Sequence, residues 1–195
     1  MTQNDGSSSV TLVVGDRTID ITNELTTSIF SYGFVKPHAF PRYRELLDDI
    51  VALSKSYGTP LERLQDKTYE MSRDVAEQHY TVHRDRPFFK ELIDMVTEGP
   101  SQHFVVHATE EGYDTVKALM KICGVTDSSK ADENTIRRKY GEPSRGIPFN
   151  AIHRSDSLEN FIVEVPLHFE RRELGDFFWD RLEAYKKYLD SLRQP

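Results

Sequence analysis

Segments that favour β-strands alternate along the chain with segments that favour helices, and this order limits the possible folds more than any other feature. A β-rich run spans residues 28–35, and further strands are predicted at 61–71, 102–107 and 150–153. Between them, apolar residues recur mostly at the three- and four-residue spacing of amphipathic helices. The resulting order, β-α-β-α-α-β-α-loop-β-α, predicts an α/β ferredoxin-like sandwich, in which helices pack on an antiparallel sheet.

Residues that prefer helix ends mark several helix boundaries. Ser72 is a suitable N-cap for a helix that runs to Tyr80, and Gly124 ends the helix that precedes it. The run Asp156-Ser157-Leu158-Glu159 combines a capping residue with a nearby glutamate, which predicts another helix start. A polar loop is predicted before the last strand, over residues 127–149.

Two terminal segments extend this plan. Residues 10–14 and 17–21 are predicted to form a hairpin around the two-residue turn Gly15-Asp16. Near the other end, an apolar stripe at near-heptad spacing predicts an amphipathic helix: Phe178, Leu182, Tyr185, Leu189 and Leu192. We therefore expect an N-terminal extension over 1–27, a central domain over 28–170 and a C-terminal helix over 171–195. Such a stripe is typical of core or of a subunit contact, and its size favours a homo-oligomer.

Composition and charge exclude several classes of protein. The composition, 37% apolar and 29% charged, is typical of a globular protein, and the length of 195 residues favours one domain with appendages or at most two small domains. The longest uncharged apolar stretches are far shorter than the roughly 20 residues that cross a bilayer, so we expect no membrane partner. A net charge of −7 argues against a nucleic-acid surface but leaves room for a small anionic ligand. The absence of a signal-peptide pattern at the start and the single cysteine, Cys123, favour a cytoplasmic protein.

The segment with the clearest chemical potential is Asn150-Ala151-Ile152-His153-Arg154-Ser155-Asp156-Ser157. A neutral imidazole is a competent nucleophile if a carboxylate holds its other nitrogen in the right tautomer. Glu164 follows His153 by eleven residues, but this spacing alone does not pair the two side chains. By itself, therefore, this segment leaves a second interpretation open, in which His153 is one of seven histidines and happens to precede a helix cap.

Further short motifs occur in a fixed order before this segment. They are Lys36-Pro37, Ala76-Glu77-Gln78-His79-Tyr80, Asp85-Arg86-Pro87-Phe88-Phe89, Glu98-Gly99-Pro100, Gly124-Val125-Thr126-Asp127 and Thr135-Ile136-Arg137. With these motifs in this order and near the expected spacing, the chain resembles the nucleoside diphosphate kinase family from about residue 28 to residue 169.

The resemblance implies a ping-pong reaction in which a histidine takes the γ-phosphoryl group of a nucleoside triphosphate and gives it to a nucleoside diphosphate. By motif, His153 is expected to be the phosphorylated nucleophile, and Glu164 is expected to orient it. The other catalytic residues implied are Lys36, Tyr80 and Ser155. The nucleotide-binding residues implied are Lys36, Phe88, Leu92, Thr126, Arg137 and Asn150. The resemblance also implies Mg²⁺ bound with the nucleotide and assembly into a homo-oligomer, and we assign no residue as a metal ligand from the sequence.

These roles agree with general chemistry, and each has a structural alternative. Phosphoryl transfer needs positioning and charge neutralisation, which Lys36 and Arg137 would supply. An aromatic face such as that of Phe88 stacks on any base, so we expect little base selectivity. Phe88 and Leu92 would look the same as ordinary core, however, and Arg137 stands in a basic cluster that is typical of a solvated loop.

Three positions depart from the family pattern around the expected phosphate site. His38 stands where an aspartate is expected, Arg154 replaces a glycine beside the nucleophile, and Met120 stands where an arginine is expected. Arg154 would either replace the missing cation or, through its Cβ, disturb a backbone conformation suited to glycine. The alternative hypothesis is therefore a weakened or inactive nucleotide-binding or interaction module of the same fold.

Overall fold

Two antiparallel sheets form in the computed structural model, which describes residues 11–14, 17–20, 27–110 and 112–193. The first is the predicted hairpin, β1 (Thr11–Val14) with β2 (Arg17–Asp20), whose turn at Gly15-Asp16 lies outside the described residues. The second contains β3 (Phe30–Val35), β4 (Leu61–Glu70), β5 (Pro100–Ala108) and β6 (Ile152–Arg154). Its strand order is β4-β5-β3-β6 and every neighbouring pair is antiparallel, which confirms the ferredoxin-like prediction.

Seven α-helices lie in the described part of the chain. They are α1 (Tyr43–Ser56), α2 (Arg73–His79), α3 (Phe89–Val96), α4 (Thr115–Cys123), α5 (Ile136–Tyr140), α6 (Leu158–His168) and α7 (Arg171–Leu192). The side chains of Ser72 and Ser157 cap α2 and α6, and each accepts a hydrogen bond from the backbone N–H three residues later. Gly124 follows α4 with φ 82°, a conformation that glycine adopts without strain. Among the described residues, no helix combines the length and the apolar composition needed to cross a membrane.

Both faces of the two central strands, β3 and β5, are largely buried. On β3, Phe30, Tyr32 and Phe34 point to one face, where they join a core that includes side chains of α2, α3, α6 and α7. Val35 of β3 joins the core of the other face, which includes side chains of α1 and α4. Central strands buried on both sides hold their side chains in fixed positions, and this fixes the geometry of any site at the end of β6.

The apolar stripe of α7 is core, and the argument that it forms a subunit contact is wrong. Phe178, Leu182, Tyr185 and Leu189 are all buried within this chain, and only Leu192 is exposed. The apolar surface that was expected to favour an oligomer is therefore buried where the helix packs on its own sheet. The helix is also broken at Gly175, which has φ 77° and ψ 166°, and the apolar pattern did not predict this break.

The segment predicted as a polar loop, 127–149, contains ordered structure. It holds α5 and a short 3₁₀ helix at Pro143–Arg145. The helical turn of α5 is fixed by burial, since Ile136 and Tyr140 pack into the core. Its polar residues obscured this short helix in the sequence.

Candidate active site

A cavity of about 590 Å³ lies beside β6, with α2, α3, α5 and α6 contributing to its walls. All but one of the predicted site residues line it: Lys36, Tyr80, Phe88, Leu92, Thr126, Arg137, Asn150, His153 and Glu164. The exception is Ser155, which is fully buried and touches Glu164 instead. Motifs that are up to 128 residues apart in sequence (Lys36 to Glu164) therefore converge on one cavity.

His153 and Glu164 are paired by the tertiary fold. His153 stands on β6 opposite Phe34 of β3, and the two rings are stacked 5.0 Å apart. The helix α6 runs back from its N-cap so that Glu164 Oε2 lies 3.2 Å from Nε2 of His153. The Ser155 hydroxyl donates to the same carboxylate oxygen at 2.6 Å. The carboxylate is thus held on both sides and fixes one nitrogen of the imidazole.

The electrostatics of the site keep His153 neutral. Burial lowers the pKa of His153 well below its ordinary value, and the nearby positive charges of Lys36, Arg137 and Arg154 lower it further. Burial raises the pKa of Glu164, while His79, the Ser155 hydrogen bond and Arg154 oppose that rise. A neutral imidazole that donates its Nε2–H to Glu164 carries a free lone pair on Nδ1. None of the described residues hydrogen-bonds to that Nδ1.

A tight turn at Ala151 leads into the strand that carries the nucleophile candidate. Ala151 has φ 70°, and the N–H of Ile152 donates to the carbonyl of Asn150 at 2.9 Å. The N–H of Ala151 donates to Nε2 of His38 at 3.2 Å. Burial lowers the pKa of His38 to about 4, so the ring stays neutral and keeps its acceptor lone pair. The departure at His38 is therefore compatible with an ordered loop, because the imidazole supports this strained residue.

Two buried cations form the floor of the cavity. The ammonium group of Lys36 donates to the carbonyl of Pro148 at 2.7 Å and to Oδ1 of Asn150 at 2.9 Å. The guanidinium of Arg137 donates to the carbonyls of Gly124 and Ile152, each at 3.1 Å. Burial lowers the pKa of both groups, because charge is less stable away from water. The solvated-loop interpretation of Arg137 is therefore wrong.

Arg154 adds a third cation to the same cavity. Its side chain is only 7% exposed, it forms an ion pair with Asp156, and its Nε has no hydrogen-bond partner among the described residues. Its backbone lies in β6 opposite Gly33 and does not have a positive φ. The backbone here is therefore not one that requires glycine. Met120, by contrast, packs against the apolar core.

Apolar and aromatic groups line another part of the cavity. Phe88 is 42% exposed, whereas Leu92 is buried and belongs to both the cavity wall and the core. Val82 and Ile147 are exposed apolar side chains that also line the cavity, and sequence reasoning missed both. An isolated apolar residue in a polar loop was the available signal for Ile147. An apolar slot of this kind is suited to the faces of a nucleobase.

Two predicted residues lie at opposite extremes of exposure. The hydroxyl of Tyr80 is buried and has no partner among the described residues, and its ring contacts His153 edge-on at 5.7 Å. Thr126 is exposed, and its carbonyl accepts from Nδ2 of Asn150 at 3.0 Å. Tyr80 therefore has a free hydrogen-bonding group for a ligand, and Thr126 stands at the rim.

One cluster in the described part of the chain has the composition of a metal site. His79, His153 and Glu164 bring three potential ligand atoms within 4.8 Å of one another. Two imidazoles and a carboxylate are a set that Zn²⁺ accepts. Binding there would take Nε2 of His153 away from its hydrogen bonds, so a metal would compete with the arrangement described above.

Comparisons with known proteins identify the family of this chain. The profile of the nucleoside diphosphate kinase family matches residues 31–174. Nucleoside diphosphate kinase from Thermoplasma acidophilum is 38% identical over 143 residues, which cover 73% of this chain and 89% of that protein. The enzyme from Wolinella succinogenes is 42% identical over 143 residues, covering 73% of this chain and 96% of that protein.

Solved structures give the same result. The Aquifex aeolicus nucleoside diphosphate kinase superposes with a TM-score of 0.65 at 30% identity and covers 75% of this chain and 98% of its own. A halophilic nucleoside diphosphate kinase from Halobacterium salinarum in complex with CDP has a TM-score of 0.63 at 30% identity and covers 77% and 97%. These matches do not favour the alternative of an inactive module. The chain belongs to the nucleoside diphosphate kinase family and has the phosphotransferase activity for which that family is named.

Proposed function

We propose that His153 carries the phosphoryl group between a nucleoside triphosphate and a nucleoside diphosphate. The observation that carries this proposal is the pairing of Nε2 with Glu164, which leaves a neutral Nδ1 beside three buried cations. Nδ1 attacks the γ-phosphorus, an N–P bond forms, the bridging P–O bond breaks, and the diphosphate leaves with the electron pair. Nε2 keeps its proton, and Glu164 offsets the positive charge that develops on the ring. The reverse step delivers the group to the second diphosphate.

The cations supply the charge neutralisation that this reaction needs. A transferring phosphoryl group is stabilised mainly by positioned positive charge and hydrogen-bond donors. We assign Lys36, Arg137 and Arg154 to the phosphates, with the Tyr80 hydroxyl as a further donor. Ser155 acts through Glu164, since it reaches the carboxylate and does not line the cavity. Because backbone carbonyls hold Lys36 and Arg137 before the ligand arrives, little reorganisation of these two side chains accompanies binding.

The remaining site residues are assigned to the nucleoside and the metal. Phe88 and Leu92 would clamp the base, and Asn150 and Thr126 would contact the ribose or phosphates. Mg²⁺ in nucleotide sites is held by substrate phosphates together with one or two carboxylates. Asp156 lines the cavity and fits that requirement, and Mg²⁺ bound there with the nucleotide would neutralise phosphate charge.

We further propose a homo-oligomer in a reducing, cytoplasmic location. In support, Leu64 and Phe177 are exposed apolar residues that line one groove with Ile29, and β4 forms an edge of the described sheet. Exposed apolar groups beside a sheet edge are typical of surfaces that pair with another chain. The one cysteine, Cys123, is a buried free thiol, which fits a reducing compartment. Light scattering at micromolar concentration tests the assembly, and a monomer mass would refute it.

Transfer of label tests the proposed chemistry. The protein is mixed with γ-labelled ATP, Mg²⁺ and a second nucleoside diphosphate, and labelled triphosphate is measured. His153→Ala should abolish transfer, whereas the matched control His107→Ala should retain it, because His107 lies on β5 outside the cavity. Transfer by His153→Ala at the wild-type rate would remove His153 from the mechanism.

A further inference from the structure

A chain of hydrogen bonds connects the nucleophile candidate to the edge of the sheet. Nε2 of His153 lies 3.1 Å from Nε2 of His79, and Nδ1 of His79 lies 2.9 Å from Nε2 of His168. Nδ1 of His168 is hydrogen-bonded to the hydroxyl of Tyr69, which is half-buried on the edge strand β4. His79 and His168 are buried, and His168 and Tyr69 do not line the cavity. We call His153, His79, His168 and Tyr69 the imidazole relay.

The protons of this relay cannot be placed independently. Burial lowers the pKa of His79 and of His168, so each ring is neutral and carries one N–H. Each contact between two facing ring nitrogens is a hydrogen bond only if one proton lies between them. The position of the proton on one ring therefore fixes its position on the next ring.

Only two arrangements satisfy the three contacts that link the members of the relay. In the outward arrangement, Nε2–H of His153 points toward Glu164 and His79, Nδ1–H of His79 donates to His168, and His168 donates to the oxygen of Tyr69. In the inward arrangement, every donor is reversed, and the proton of His153 moves to Nδ1. The outward arrangement leaves Nδ1 of His153 with its lone pair, and the inward one removes that lone pair.

We infer that the imidazole relay sets the tautomer of His153, with His79, His168 and Tyr69 as positioning residues for phosphoryl transfer. This inference rests on the proposed role of His153. Glu164 favours the outward arrangement, because the inward one would place a lone pair of Nε2 against its carboxylate at 3.2 Å. Tyr69 supports it from the other end, because its oxygen accepts the last N–H. Without that hydroxyl, the outward arrangement leaves a buried N–H unpaired, and the balance moves toward the inward one.

Two variants interrupt the relay without touching the cavity. Tyr69→Phe removes only the terminal hydroxyl, and His168→Phe replaces a buried ring with an apolar ring. Tyr32→Phe is the matched control, because the Tyr32 hydroxyl is bonded to His103 at 2.7 Å and not to the relay. The tautomer of His153 is read from ¹⁵N chemical shifts of ring-labelled histidine in the resting protein. Single-turnover phosphorylation at saturating ATP and the Kd for ATP are measured in parallel.

We expect both relay variants to increase the fraction of His153 with its proton on Nδ1. Phosphorylation at saturating ATP should slow about fivefold in Tyr69→Phe, the change that matches the loss of one ordinary hydrogen bond, with the Kd for ATP unchanged. Tyr32→Phe should change neither the tautomer of His153 nor the rate of phosphorylation. An unchanged tautomer in both relay variants, or the same shift in Tyr32→Phe, would overturn the inference. The tautomer measurement does not depend on turnover. The inference about the tautomer can therefore fail or hold independently of whether His153 is phosphorylated.

Discussion

Replacing Arg154 by methionine tests whether a buried cation is kept for phosphate binding at a cost in stability. Burial and the neighbouring Arg137 lower the pKa of Arg154 from 12.5 to about 10. At about 1.4 kcal/mol per pKa unit, keeping this guanidinium charged costs roughly 3 kcal/mol in the ligand-free protein. Its ion pair with Asp156 returns little of that, because Asp156 is 67% exposed and exposed pairs contribute about 0–1 kcal/mol.

Arg154→Met should therefore make the ligand-free protein more stable by about 1–3 kcal/mol, or about 2–4 °C in Tm per kcal/mol. The same change removes a charge-assisted contact to phosphate worth about 1.5–3 kcal/mol, so phosphorylation should slow roughly 10- to 150-fold. Urea unfolding without ligand and single-turnover phosphorylation measure the two effects. Arg138→Met is the matched control, since Arg138 is exposed and bonded to the Ser129 carbonyl.

Lower stability with unchanged phosphorylation in Arg154→Met is the behaviour of a purely structural arginine and would contradict a role in phosphate binding. Arg154→Gly should weaken ATP binding in the same direction. If Arg154→Gly became faster with unchanged ATP affinity, the guanidinium would be an obstacle to the reaction and not a phosphate ligand.

Three further outcomes follow from the site. Glu164→Gln should slow phosphorylation by about 10- to 100-fold with little change in the Kd for ATP, because its role is to hold Nε2; an equal loss of binding would place it on the nucleotide. Phe88→Ala should raise KM to a similar extent for ATP and CTP in steady-state assays, and a loss confined to one base would contradict a base-independent clamp. Stability should fall as pH drops below about 6.5, by about 1.4 kcal/mol per pH unit for each buried histidine, because the unfolded chain binds protons that the folded one excludes. For His38 this loss continues down to its folded pKa of about 4. Urea unfolding at pH 7.5 and 5.5 measures the loss, which His168→Phe should reduce; equal stability at both pH values would contradict neutral buried histidines.

The fold was predictable from sequence wherever local signals determine it. Capping by Ser72 and Ser157 is a contact within three residues, so residue type and position are sufficient to identify it. The break at Gly175 was missed because one glycine does not end a helical pattern by itself. The capping box of Glu170 and Glu173 is a local signal for the start of α7, but it does not indicate the break at Gly175. The division of the chain at residues 27 and 170 stays a prediction.

The site was predictable as a set of motifs but not as an arrangement. Spacing could not pair His153 with Glu164, because the return of α6 against β6 depends on packing. The contact of His79 with His168 spans 89 residues, and no local pattern announces it. Whether the stripe with Phe178 covers its own core or a partner also depends on tertiary packing.

The most direct test of the central claim is to isolate the phosphorylated protein and locate its phosphoryl group. The protein is incubated with ATP and Mg²⁺, nucleotide is removed at alkaline pH, and peptides are sequenced by electron-transfer mass spectrometry. We expect one acid-labile, base-stable phosphoryl group on His153, which disappears when a second nucleoside diphosphate is added. Phosphate on another residue, or rapid transfer between nucleotides with no phosphorylated protein, would contradict it.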